Sequence, residues 1–301
     1  MENRSIIKTW TTQPTFQNML VNFVVQLENL LKQSLTMSSY GTKTKIVLNQ
    51  INSLTSLSIQ AKNTVQNVTK IGLAYEKVAN PATHKSDWRG NWSPEVARNL
   101  ILRYSNEGDI LLDPMIGGGT TAIEAKILNR HIICSDVNDK ALERTKASLN
   151  FEVENDAWQK IVKRDARDLS KANDESIDFI LTHPPYADII KYSEGKLDDD
   201  LSNIHDIDKF ADEMEKVAKE LHRVLKKGKY CAILIGDTRR NKMHQPIAYK
   251  VMDRFMKVGF QLKEDIIKRQ FNCKATGFWV KKSQESNFLL IMHEHLFIFQ
   301  K

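Results

Sequence analysis

The chain has 301 residues, 41% hydrophobic and 27% charged, with only 12 glycines and 7 prolines. Those proportions exclude collagen-like, mucin-like and wholly disordered classes, and the length suits one catalytic-size domain with a smaller appendage. The net charge of +7 favours a polyanionic partner, and how that charge is distributed decides more than its total.

No apolar run approaches the roughly 20 residues that span a bilayer. Met1 to Trp10 lacks the apolar stretch of a secretory signal, so no membrane association and a cytoplasmic setting are expected. Cys134, Cys231 and Cys273 are far apart and lack metal-ligand or redox spacing, which points to packed thiols.

In chain order, Phe16, Met19, Leu20, Phe23, Val24, Leu27, Leu30, Leu31 and Leu35 recur at three- and four-residue steps and predict an amphipathic helix. A weaker stripe from Ile46 to Ile71 follows the polar Ser38 to Thr42. Residues 1–78 therefore read as a helical module, suited to DNA contact, dimerisation or packing on the main domain. From Trp88 onward, short apolar runs alternate with helical stretches, the pattern of a parallel sheet wrapped by helices over residues 79–301. Strands are expected at 109–112, 131–134, 159–163, 177–181, 230–235, 260–267 and 289–299. Helices are expected at 94–104, 120–127, 139–150, 208–225 and 246–258. A basic loop alone separates the last two strands, which predicts an antiparallel hairpin at the end of the sheet. Between Arg239 and Lys282, twelve lysines and arginines stand against three carboxylates.

Two segments carry chemistry. Asp113-Pro114-Met115-Ile116-Gly117-Gly118-Gly119-Thr120-Thr121 lies where a strand ends and a helix begins, so its glycines let the backbone approach a ligand at the sheet's carboxyl edge. It lacks the Lys-Ser/Thr of a phosphate loop, and Asp113 repels anions, so a ligand with a cationic amine and hydroxyls fits better. Asp136, closing the second strand, is placed to accept ribose hydroxyls, and Asp165 follows the third strand as an adenine contact or an ordinary helix cap. The second segment is Leu181-Thr182-His183-Pro184-Pro185-Tyr186, whose prolines leave carbonyls without competing amides and whose tyrosine offers a stacking face.

On these residues the chain resembles the S-adenosylmethionine-dependent DNA amino-methyltransferases. Asp113 to Thr121 is similar to their cofactor loop and Leu181 to Tyr186 to their catalytic loop. Trp88 to Glu95 and Arg223 to Gly228 match flanking segments, and the likeness runs over residues 84–301. It implies an α/β, Rossmann-like seven-stranded methyltransferase sheet with an antiparallel last hairpin, set beside the N-terminal helical module. It places S-adenosylmethionine against Asp113, Pro114, Met115, Gly117, Gly119, Thr120 and Thr182, with Asp136 on ribose and Asp165 near adenine. A base of double-stranded DNA is flipped toward His183, Pro184, Pro185 and Tyr186, cytosine N4 being slightly favoured over adenine N6. No metal is implied.

Two departures stand out: Met115 replaces the usual Phe, and His183 replaces the usual Ser, Asp or Asn. A histidine accepts a hydrogen bond only while neutral, so activity is expected to fall on acidification through roughly pH 6.5. Arg239, Arg240, Lys268, Arg269, Lys274, Lys281 and Lys282, with Phe271, Phe278 and Trp279, read as a DNA-facing rim. The chain between the two loops leaves no room for a large recognition domain. Sequence choice therefore falls to the N-terminal helices, the loop Ala187 to Asn203, the basic rim or another subunit. The expected setting is a restriction-modification or orphan system of a bacterium, archaeon or phage. Its further partners would be a restriction endonuclease, a specificity subunit or a second copy. A tRNA guanine-N2 methyltransferase and a silent DNA-binding subunit are the alternatives. In His293-Glu294-His295, strand alternation sends Glu294 away from both histidines.

Overall fold

The apolar runs become strands of one sheet. The structure, a computed structural model, describes residues 84, 88, 90–193, 195–270 and 276–301, so the helical module expected over 1–78 lies outside the described residues. Helix α1 (Pro94–Tyr104) leads into β1 (Ile110–Asp113), α2 (Thr120–Ile127), β2 (His131–Asp136), α3 (Asp139–Ser148), β3 (Gln159–Lys163) and β4 (Ile177–Thr182). After 3-10 turns at Ala187–Ile189 and Leu201–Asn203 come α4 (Ile207–Val224), β5 (Leu225–Ile235), β6 (Thr238–Arg240) and β7 (Met243–Gln245). The chain ends with α5 (Ile247–Val258), β8 (Gln261–Arg269), α6 (Thr276–Ser286) and β9 (His293–Gln300).

The sheet order is β3-β2-β1-β4-β5-β9-β8. The first five strands run parallel, and β9 inserts antiparallel between β5 and β8, as the expected closing hairpin requires. Every residue of β4 is buried, which is why its sequence is a continuous apolar run rather than an alternating one. Because β1 connects onward to β2 on one side and pairs with β4 on the other, a crevice opens at their carboxyl ends. Asp113 and Thr182 are the last residues of those two strands.

Three expectations are corrected. Strand β5 starts directly after α4 at Leu225, with a bulge in its pairing with β4 before Tyr230. The basic connection between the last two strands holds helix α6, and β9 begins at His293 rather than at residue 289. A further two-stranded hairpin, β6 with β7, follows β5.

Helix α4 buries Ile207, Phe210, Met214, Val217, Leu221 and Val224 at three- and four-residue steps, and Asp206 caps it by accepting the amides of Asp208 and Lys209. It packs beside α5, whose cations meet its acids: Lys250 with Asp208, Arg254 with Asp212 and Lys257 with Glu215. Part of the basic excess after Arg239 is thus neutralised within the fold. Among the described residues, no helix is long and apolar enough to cross a membrane.

Asp178 in β4 ties three strands together, its carboxylate accepting the Ile110 amide of β1 at 3.1 Å and Lys226 of β5 at 2.7 Å. Asp178→Ala strips a partner from a part-buried amide and is expected to cost about 2 kcal/mol of unfolding free energy, measured by urea denaturation.

Candidate active site

The cofactor loop is shaped by its own hydrogen bonds. Asp113 is 2% exposed, and its Oδ1 accepts the Met115 amide at 3.1 Å and the Thr182 hydroxyl at 2.9 Å. The chain then turns through Gly119, whose φ of 88° at the N-cap of α2 is a left-handed conformation that a side chain would strain. A Cβ there would also lie 3.2 Å from the Thr145 backbone. Asp136 accepts the Gly117 amide on Oδ2 and the Asn138 amide on Oδ1, both at 3.0 Å. Burial pushes both carboxyls up to about 6, against the hydrogen bonds that favour ionisation. Among the described residues, neither has a cationic partner.

These two carboxylates line one cleft at the carboxyl edge of the sheet. Pro114, Met115, Gly117, Thr120, Asp165, His183 and Pro185 also line it. Asp165 lies on the cleft wall, and Arg167 grips both of its oxygens, at 3.0 and 2.6 Å, and also holds Glu213 at 2.7 Å. Gly119, Thr182, Pro184 and Tyr186 lie off the cleft wall; Thr182 and Pro184 are buried behind it.

The catalytic loop is held from two sides. Thr182 ties it to Asp113, while the Tyr186 hydroxyl donates to Glu294 Oε1 at 2.7 Å and sits 2.6 Å from His183 Nε2. Trp92, 5% exposed, stacks on His183 with centroids 5.9 Å apart. Burial drives the His183 imidazole down to about 4; Glu294 opposes that shift and Lys268 assists it. The expected loss of activity through pH 6.5 is therefore corrected, because His183 stays neutral until far more acid.

A model of the DNA methylase family matches residues 8–147 and 177–301. The chain belongs to the DNA methylase family. Among curated relatives, a tRNA (guanine(10)-N2)-dimethyltransferase of Methanothermobacter thermautotrophicus is 33% identical over 36% of this chain and 31% of that protein. The Type II methyltransferase M.HpaI of Haemophilus parainfluenzae is 43% identical over 24% of this chain and 23% of its own. The matches thus span a third or less of these relatives' lengths. The solved structure of TrmN from Thermus thermophilus aligns with a TM-score of 0.47 at 20% identity, over 73% of this chain and 52% of that one.

The cleft suits the S-adenosylmethionine that the sequence resemblance implies. Two buried carboxylates without cations suit an amine and hydroxyls, and Trp88 covers the loop so closely that a Cβ on Gly117 would lie 3.2 Å from the indole nitrogen. Asp113, Asp136 and Gly117 are the residues that would hold it.

Other wall residues escaped the site assignment. Trp88, Asn91 and Trp92 belong to a segment whose family likeness is visible in the sequence, yet no chemistry marks them. Tyr192, Asp200 and Leu201 come from the loop assigned above to sequence choice, which bends back over the cofactor cleft. Tyr192 stacks on Trp88 with centroids 6.2 Å apart and planes 9° apart, and its carbonyl accepts Asn138 Nδ2. Tyr192→Ala removes that stack and is expected to weaken cofactor binding about tenfold, measured by equilibrium dialysis.

The residues expected on the rim differ in their surroundings. Arg239 donates to the Lys242 and Leu289 carbonyls and lies over the Phe288 ring; Arg240 binds Asp188 and the His205 carbonyl; Lys268 pairs with Glu294. These three are engaged within the fold. Arg269 ends β8, and Lys281 and Lys282 are exposed on α6 beside Phe278 and Trp279, themselves 64% and 44% exposed. Lys274 and Phe271 lie outside the described residues.

Proposed function

We propose that this methylase transfers a methyl group to an exocyclic base amine of double-stranded DNA, with cytosine N4 ahead of adenine N6. One observation carries the reading: the Thr182–Asp113 hydrogen bond joins the catalytic loop to the cofactor loop, so that an amine at His183-Pro184 adjoins the cofactor cleft. When bound, S-adenosylmethionine supplies an electrophilic methyl group. The protein's part is orientation and electrostatics. The Pro184 carbonyl and a neutral His183 accept the amine's hydrogens, aiming its lone pair.

Extrusion of the base from the duplex is part of the proposal, because a stacked, paired amine cannot reach such a crevice. Exposed Phe278, Trp279, Lys281 and Lys282 on α6 supply the aromatic faces and charge that a nucleic acid needs. The Type II relative supports a modification enzyme of a restriction system. The likeness to a tRNA guanine-N2 methyltransferase supports a second reading on RNA.

Purified protein incubated with tritiated S-adenosylmethionine and, separately, unmethylated genomic DNA or unmodified tRNA decides between them after nuclease digestion and nucleoside chromatography. Label in N4-methyl-deoxycytidine is expected. Label in N6-methyl-deoxyadenosine changes the base, label in N2-methylguanosine moves the substrate to RNA, and label in neither overturns the reading.

A further inference from the structure

The Tyr186 hydroxyl has one hydrogen and two neighbours that could take it, His183 Nε2 at 2.6 Å and Glu294 Oε1 at 2.7 Å. Glu294 comes from β9, is 7% exposed, and bonds Lys268 through its other oxygen. Burial opposes its ionisation, but the bonds from Lys268 and Tyr186 outweigh burial and hold the carboxyl below its usual range. An ionised carboxylate is a stronger acceptor than a neutral imidazole nitrogen, so the hydroxyl hydrogen goes to Glu294. The Tyr186 oxygen can then only accept, and Nε2 must bring its own proton to make the contact.

The rest of the surroundings pull the other way. The Gly90 backbone also hydrogen-bonds the ring and favours a proton there, while Lys268 disfavours a charged ring and Trp92 covers one face. Without Glu294, the tyrosine would turn its hydrogen to Nε2 and the imidazole proton would move to Nδ1. Since Nε2 is spent on Tyr186, Nδ1 is the ring's remaining acceptor, and it is one only in the Nε2-protonated tautomer.

We propose that Glu294 is a positioning residue that, through the Tyr186 hydroxyl, keeps the His183 proton on Nε2 against the pull of the Gly90 backbone, so that Nδ1 carries a lone pair rather than a proton. This rests on the function proposed above for its purpose, but the tautomer itself does not. Lys268, expected on a DNA-facing rim, instead keeps Glu294 ionised.

The test is nitrogen-15 NMR of selectively labelled histidine in the full chain, wild type against Glu294→Gln and Tyr186→Phe, beside steady-state kinetics. In wild type, the His183 signals should show Nε2 protonated and Nδ1 bare. In Glu294→Gln the two should exchange or mix, with kcat down about 10- to 100-fold and cofactor Kd within about twofold. Tyr186→Phe leaves the Glu294–Lys268 pair in place, so it reports the tautomer even if the glutamine variant folds poorly; Nδ1 should carry the proton there too. A wild-type proton on Nδ1, or a tautomer unmoved in both variants, overturns the proposal. Should wild type methylate no nucleic acid, the functional reading fails and the NMR result alone still decides what Glu294 does.

Discussion

Cofactor affinity is expected to fall about a hundredfold between pH 7 and pH 5. Asp113 and Asp136 are both pushed up to about 6, burial being the main cause in each case. A carboxyl that titrates at about 6 is roughly nine-tenths ionised at pH 7 and nine-tenths protonated at pH 5, about tenfold for each group whose charge the ligand requires. The sign follows from the ligand: an amine and hydroxyl donors bind the ionised acids, so binding pulls both values down and releases protons on the acid side. Titration calorimetry in buffers of differing ionisation enthalpy measures affinity and proton release together. Asp136→Asn should weaken binding at pH 7 and make the remaining pH dependence about tenfold. His183, held near 4, contributes nothing to this window. A flat affinity from pH 7 to 5 would show that neither carboxylate needs its charge.

Much of this site is legible in the sequence. An acid, three glycines and two threonines in a row allow one local geometry, a strand running through left-handed turns into a helix, and Gly119 at φ 88° with Thr120 opening α2 has that geometry. The adjacency of the two loops was readable less directly, since it depends on β1 pairing with β4. Helix α6 was not readable: Phe278, Trp279 and Val280 are consecutive and exposed, so no helical period marks the segment. The charge excess after Arg239 overstates the free charge for a related reason. Composition counts cations but not the acids of α4 that meet Lys250, Arg254 and Lys257 across a helix seam. Nothing in the sequence marks Arg167, two residues on, as the partner that grips Asp165. Alternation correctly turned Glu294 from its flanking histidines, yet its partner Tyr186 lies 108 residues away and is reached only because β9 inserts beside β5.

That insertion gives Gly236 a role no motif announces, and Gly236→Ala should abolish at least about 99% of methyl transfer while leaving cofactor affinity within about twofold. Gly236 follows β5, and the Tyr186 ring packs directly over it. An added Cβ would lie 2.8 Å from the ring's Cε2 and 3.3 Å from Glu294 Cγ, so the ring or the strand has to move. The tyrosine cannot simply swing aside, because its hydroxyl is shared between Glu294 and His183, and any displacement lengthens one of two short hydrogen bonds. A shift of about 1 Å in a residue that positions a reacting group costs on the order of a hundredfold in rate. Neither Gly236 nor Tyr186 lines the cofactor cleft, so the binding isotherm should barely change. Measuring kcat and cofactor Kd on the same preparation separates this outcome from general misfolding, which would degrade both. A Gly236→Ala enzyme with wild-type kcat would mean that the Tyr186 ring has slack, and that the hydrogen-bonded chain from His183 to Glu294 can re-form around an added methyl group.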